Sequence, residues 1–119
     1  MIPVKTFGDY VVCFEAEPET NINMRSHFIK ECGWTVSQYR RIEKFAWFSA
    51  RVSIWKDGKE LAEEFLGGCS YQTSREFFTT YEGDYFCDMV RTCAREIGDP
   101  ALMRVVDAWH SSFRQAEAA

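Results

Sequence analysis

The feature that most constrains this chain is a ten-residue alternation ending in a turn signal. In the run Ala46 to Trp55, residues Ala46, Phe48, Ala50, Val52 and Ile54 fall on one face, and Trp47, Ser49, Arg51, Ser53 and Trp55 on the other. Side chains of a strand point alternately to its two faces, so a period of two predicts a strand buried on one side. Asp57-Gly58 follows at once. That dipeptide supplies the positive φ of a tight hairpin turn, so the next segment must return antiparallel. Leu61 to Gly68 also has helical spacing, but nothing separates it from the turn, and it is read as the returning strand.

A sheet with one apolar face must bury it against a second layer. Tyr10 to Glu17 alternates, with Tyr10, Val12, Phe14 and Ala16 on one side, and reads as a strand ended by Pro18. Helices supply the rest. Asn23 to Cys32 is a helix candidate stopped by Gly33, and Thr35 with Gln38 fits a capping box opening a helix to about Lys44. Thr73 or Ser74 caps a short helix through Phe77 and Phe78. Asp84 to Ile97 carries the stripe Phe86, Met89, Val90, Cys93, Ile97 and stops at Gly98. Asp99-Pro100 is a cap and first-turn proline. The last helix, to about Arg114, has Leu102, Val105, Val106, Trp109 and Phe113 at core spacing. Phe48, Phe65, Phe86, Trp109 and Phe113 are expected in the core. The expected fold is α+β: a small antiparallel sheet centred on a hairpin and packed against several helices. Residues 1–119 are expected to form a single globular domain with 115–119 frayed. At this mass, surface scaling predicts a folded area of roughly 6,700 Å².

The five cysteines are irregularly spaced, lack a Cys-x-x-Cys pair, and stand beside only two histidines, His27 and His110. Buried thiols in a reducing compartment are the expected state, with no disulfide framework, no structural metal and no cofactor. The start has no basic segment leading into an apolar run, and no stretch reaches the ~20 apolar residues of a membrane span. The expected location is the cytoplasm. Gly67-Gly68 lacks the Gly-Lys-Ser/Thr of a phosphate loop, and Cys69, Ser70, His27 and His110 form no recognisable nucleophile motif. A non-enzymatic protein is therefore expected.

Two surpluses remain. The chain holds 19 aromatics (10 Phe, 5 Tyr, 4 Trp), more than its core stripes use. Trp34, Trp47, Trp55, Tyr71, Tyr81 and Tyr85 are the unassigned ones, and such rings anchor protein interfaces. A dimer through Trp47 or Trp55 would use the same rings. The net charge of −4 hides a basic middle, since residues 25–59 hold eight Lys/Arg against three acids and residues 60–119 five Arg against eleven acids. The blocks form separate faces unless they neutralise each other across paired strands, for instance Arg51 against Glu63. Asp84 and Asp88, four apart after Glu82, suit either the helix dipole or a basic partner. Segment 24–44, with Arg40, Arg41 and Lys44 on its second helix, has the order of a helix-turn-helix. Trp47, Arg51 and Trp55 on one strand face could stack on single-stranded bases.

The block Ala46-Trp47-Phe48-Ser49-Ala50-Arg51-Val52, Asp57-Gly58, Leu66-Gly67-Gly68-Cys69-Ser70-Tyr71, Phe77 and Tyr85-Phe86-Cys87-Asp88-Met89-Val90, with Glu17-Pro18-Glu19, resembles small accessory proteins carried by phages and other mobile elements. In size, acidity and absence of catalytic motifs the chain is similar to anti-CRISPR inhibitors. That resemblance implies a stoichiometric inhibitor of a host defence system, acting in the bacterial host cytoplasm. It would occlude a nucleic-acid-binding or effector-docking surface on a host protein complex such as a CRISPR-Cas component. Glu63, Glu64, Glu82, Asp84 and Asp88 would meet the target's Lys and Arg, with Trp47, Trp55, Tyr71 and Tyr85 as anchors. The alternative is a small nucleic-acid-binding regulator using Arg40, Arg41 and Lys44.

Overall fold

The computed structural model describes residues 1–19, 23–79 and 84–118, with side chains at all of these except 84 and 113–118. The hairpin forms as the alternation predicts. Strand β3 is Ala46–Lys56 and strand β4 is Lys59–Tyr71, joined by Asp57 (φ 53°) and Gly58 (φ 74°). Both turn residues are left-handed, a conformation that Gly adopts freely and Asp tolerates. The returning segment is thus a strand. Its helical spacing has a physical origin in two bulges, one at Leu61 between the pairs Trp55–Glu60 and Ile54–Ala62, the other at Gly67-Gly68 opposite Ser49. Each bulge shifts the pleat and breaks the period of two.

Strand β2, Tyr10–Pro18, pairs with the other side of β3, placing Val12 beside Ile54 and Phe14 beside Val52 on the inner face. The outer face carries Cys13 beside Ser53 and Glu15 beside Arg51. A further strand, Ile2–Phe7 (β1), completes an antiparallel sheet in the order β1-β2-β3-β4. The sequence reading missed β1 because Pro3 and an irregularity between Pro3 and Lys5 erase its alternation. Proline is tolerated there because the strand lies at an edge.

In segment 23–45, Met24–Ser26 (α1) runs into a π-helical turn, His27–Glu31, and Val36–Arg40 forms α2. The Thr35/Gln38 capping box is present, but α2 is shorter than expected. Beyond Arg40 the chain tightens into i→i+3 turns through Phe45. Three helices follow β4: Glu76–Thr79 (α3), Asp84–Ile97 (α4) and Pro100–Ala118 (α5). Gly98, at φ 78°, closes α4, and Asp99 Oδ1 accepts from the amides of Ala101 (2.9 Å) and Leu102 (3.4 Å) to open α5. Asp99 Oδ2 accepts from the Tyr10 hydroxyl at 2.7 Å, tying the start of α5 to the sheet.

Helix α4 lies over β3 and β4, and α5 packs on α4 and touches β1. Between them the inner sheet face is buried with Phe77 at its centre. The Phe77 ring lies 5.5 Å from Phe14, 5.6 Å from Tyr71, 6.1 Å from Phe48 and 6.3 Å from Phe86. Two core expectations change. Phe65 is 54% exposed because β4 turns it to the outer face. Val105 is 47% exposed because α5 buries Leu102, Val106 and His110 instead, a stripe rotated by one position. The Phe113 side chain lies outside the described residues. Helix α5 also continues to Ala118 rather than ending near Arg114. The accessible area is 7535 Å², and the radius of gyration of 16.4 Å exceeds the about 13.5 Å of a compact chain of this length. The excess is a matter of shape: the molecule is a slab 49 × 36 × 20 Å.

Candidate functional site

One arginine organises the outer face of the sheet. Arg51 is only 14% exposed and lies among three carboxylates. Its Nε and Nη2 donate to Glu63 Oε2 at 3.0 and 2.7 Å, Nη2 donates to Glu60, and Glu15 is 3.7 Å from Nη1. The expected Arg51–Glu63 neutralisation is real, but three acids to one base leave the cluster with a net negative charge. The exposed Phe65 ring lies 5.8 Å from the Arg51 guanidinium. Trp55 lies on the same face, half-buried, with its Nε1–H donating to Ser53 Oγ at 2.9 Å. Two residues expected from the sequence, Trp55 and Glu63, thus meet here, joined by Glu15, Glu60 and Phe65. Only the cross-strand register unites those three with Arg51, and no single segment reveals it.

Trp47 is placed otherwise. It points to the outer face, but the Phe28 ring covers it at 5.0 Å, and Phe28 also contacts Trp34 at 4.5 Å. The Trp47 Nε1–H is buried without a hydrogen-bond partner among the described residues. Trp47 is a clamp for segment 23–45 rather than an open anchor, so a dimer through it is not supported. That segment has no buried residue, and Arg25, Lys30, Arg40, Arg41 and Lys44 stand exposed on it. With helices of three and five residues it departs from a helix-turn-helix, whose recognition helix must reach into a groove.

The other expected site residues are dispersed. Glu63 and Glu64 are neighbours on a strand and therefore face opposite ways. Glu64 lies on the helix side, near Glu96 of α4; burial first, then that neighbouring carboxyl group, pushes its pKa up. Cys93 beneath is pushed up to about 12, chiefly by burial and then by the surrounding glutamates. Tyr71 and Tyr85 come together, lining a hollow of about 240 Å³ with Leu66, Gly67, Gly68, Cys69 and Ser70. Tyr71 also packs on Phe48 and Phe77, so it belongs partly to the core. Tyr85 is 59% exposed. Glu19 Oε1 braces this hollow, accepting from Ser49 Oγ (2.8 Å) and the Gly68 amide (3.3 Å). The Glu17-Pro18-Glu19 and Gly-Gly-Cys-Ser-Tyr segments are thus joined through one carboxylate. Asp88 is exposed, with Oδ1 3.6 Å from His110 Nε2, too far for a hydrogen bond. Glu82 lies outside the described residues, as does the Asp84 side chain.

Among the described residues no group of three or more His, Cys, Asp or Glu is placed to hold a metal ion, and no helix is long and apolar enough to cross a membrane. One grouping that the sequence reading missed is His27, Glu31 and Cys32, which the π-helical turn brings into contact. On an α-helix, residues five apart lie about 140° around the axis, so ordinary helical spacing hides the Cys32–His27 pair. No family model matches the chain, no curated protein matches it in sequence, and no solved structure matches it in fold.

Proposed function

We propose that the protein works by binding, as a phage-encoded, stoichiometric inhibitor of a bacterial host defence complex of the CRISPR-Cas kind, in the host cytoplasm. The observation that carries this reading is the Arg51 cluster. Three glutamates around one arginine, with an exposed phenylalanine above, give an acidic surface with an apolar anchor. Such a surface suits the Lys and Arg side chains with which a nuclease or surveillance complex holds nucleic acid. Phe65 and Trp55 supply desolvated contact area and Glu15, Glu60 and Glu63 the charge. Tyr85 and Asp88 offer a smaller second patch on α4.

The test is affinity purification from a host expressing CRISPR or restriction complexes. The wild type should recover one such complex and raise phage survival. The triple reversal Glu15→Lys, Glu60→Lys, Glu63→Lys should lose both, and recovery of nothing by the wild type ends the reading.

One observation favours a second reading, a small nucleic-acid-binding regulator. The five exposed basic residues of segment 23–45 make no ion pair among the described residues. A gel shift that weakens steeply with salt and is lost in Arg40→Ala, Arg41→Ala, Lys44→Ala would support it; no shift at low salt removes it.

A further inference from the structure

We propose that His27, Glu31 and Cys32 form a nucleophilic thiol site, in which Cys32 accepts an acyl group from a thioester or activated ester presented at the surface. The geometry is that of a thiol, a base and a group that orients the base. Cys32 Sγ lies 3.7 Å from His27 Nε2, and His27 Nδ1 lies 2.7 Å from Glu31 Oε2. One tautomer satisfies both contacts. With its proton on Nδ1, His27 donates to the carboxylate, and Nε2 is left with a lone pair facing the thiol. The two partners approach opposite ring nitrogens and do not converge on a common point, which suits proton transfer and not a metal ion.

The backbone supports the same reading. The π-helical turn replaces i→i+4 bonding with i→i+5, and the Cys32 amide donates to the His27 carbonyl at 3.1 Å, bringing residue 32 beneath residue 27. Such turns carry a cost in stability and recur at functional positions. The turn is fixed from below. The Phe28 ring, 5.2 Å from the imidazole, is itself gripped by Trp34 and Trp47.

Access separates this thiol from the others. Cys32 is exposed, whereas Cys13, Cys69, Cys87 and Cys93 are buried. Two hollows lie on the same segment, neither lined by Cys32 itself. Trp34, two residues on, lines a hollow of about 210 Å³ with Gln38, Arg41 and Ile42. Arg25 and Lys30 line another, of about 260 Å³. A donor with an apolar acyl chain and an anionic carrier would match the apolar and basic side chains that line these hollows. In the step, the thiol proton passes to His27 Nε2 as sulfur bonds the carbonyl carbon. The bond from that carbon to the leaving group breaks, and the proton departs with the leaving group. Cys32 then holds the acyl group as a thioester, and no electron is transferred.

The site uses no residue of the acidic sheet face, so its test is independent of the binding reading. The full chain is incubated with p-nitrophenyl acetate, following nitrophenolate release and locating the acetyl group by peptide mass spectrometry. One acetyl group is expected, on Cys32, with the buried cysteines unlabelled. The rate should fall roughly tenfold or more in His27→Gln, fall less in Glu31→Gln, recover partly in Glu31→Asp, and vanish in Cys32→Ser. These variants alter exposed side chains of a segment with no buried residue, and an unchanged thermal melt checks that each is folded. An unchanged rate in His27→Gln or Glu31→Gln, or labelling at another residue, overturns the proposal.

Discussion

The two faces of the sheet are held by different physics. On the inner face Val12, Phe14, Phe48, Ala50, Val52 and Ile54 are sealed by helices, and their stabilisation comes from apolar burial and close packing. On the outer face the same strands present Arg51 with its glutamates at the centre and Trp47 under Phe28 at one end. Cohesion there comes from charge and from a few half-buried rings. The difference teaches where function can reside. A sealed face tolerates little change, whereas an outer face with unbalanced charge and an exposed ring can exchange its own contacts for those of a partner.

The contrast breaks most visibly at Phe77. Phe77→Ala removes a ring in contact with four others and should destabilise by about 3–5 kcal/mol in chemical denaturation. A loss below about 1 kcal/mol would mean that the inner face is not the dominant core. On the outer face, Arg51→Ala leaves three carboxylates facing one another without their cation. We expect a loss of about 1–3 kcal/mol, smaller in high salt because the glutamates are partly exposed. Arg51→Lys should recover only part of it, since an ammonium cannot reproduce the forked contact to Glu63 and Glu60. A salt-independent loss would assign the effect to packing instead.

How far the sequence revealed this arrangement follows from the range of each interaction. The β3–β4 turn, the capping box and the limits of α4 depend on contacts within a few residues, and all were legible from spacing. Strand β1 was not, because its pairing partner lies beyond a turn and its own pattern is broken at Pro3. Phe65 and Val105 were misplaced because the bulges in β4 and the seat of α5 on α4 are settled by tertiary packing. Among the expected site residues, Glu63 and Trp55 share a face as the strand period requires. Glu64 does not join Glu63 for the same reason. The clamp on Trp47 by Phe28 joins residues 19 apart, and the triple contact on Arg51 spans three strands; neither leaves a local trace.

The Phe28 clamp is tested by Phe28→Ala. Hydrogen exchange should rise across residues 24–40 while the amides of α4 remain protected, because the segment contributes no residue to the core. The global loss should be about 1–2 kcal/mol, the scale of partial ring burial. Equal loosening of α4 would show that the lobe and the core unfold as one unit.

The smallest effect is expected where the two kinds of stabilisation meet, at Glu64. It sits on the helix side of β4, and burial together with the neighbouring Glu96 carboxylate raises its pKa above the ordinary 4.5. A raised carboxyl pKa means that the folded state holds the proton more tightly than the unfolded chain does. The protonated side chain can donate to Glu96, whereas the ionised one repels it. Stability from this pair is therefore present in acid and is lost as pH rises from the ordinary carboxyl range through the raised value. Glu64→Gln keeps a donor toward Glu96 without the charge. Its Tm at pH 7 should be slightly higher than the wild type's, and the gap should close below about pH 4.5, where Glu64 is protonated in both states. Thermal melts of the two proteins across pH 4 to 7 measure that gap. A gap that widens in acid would reverse the sign and show that Glu64 contributes as a carboxylate, aligning it with the charged outer face rather than with the sealed inner one.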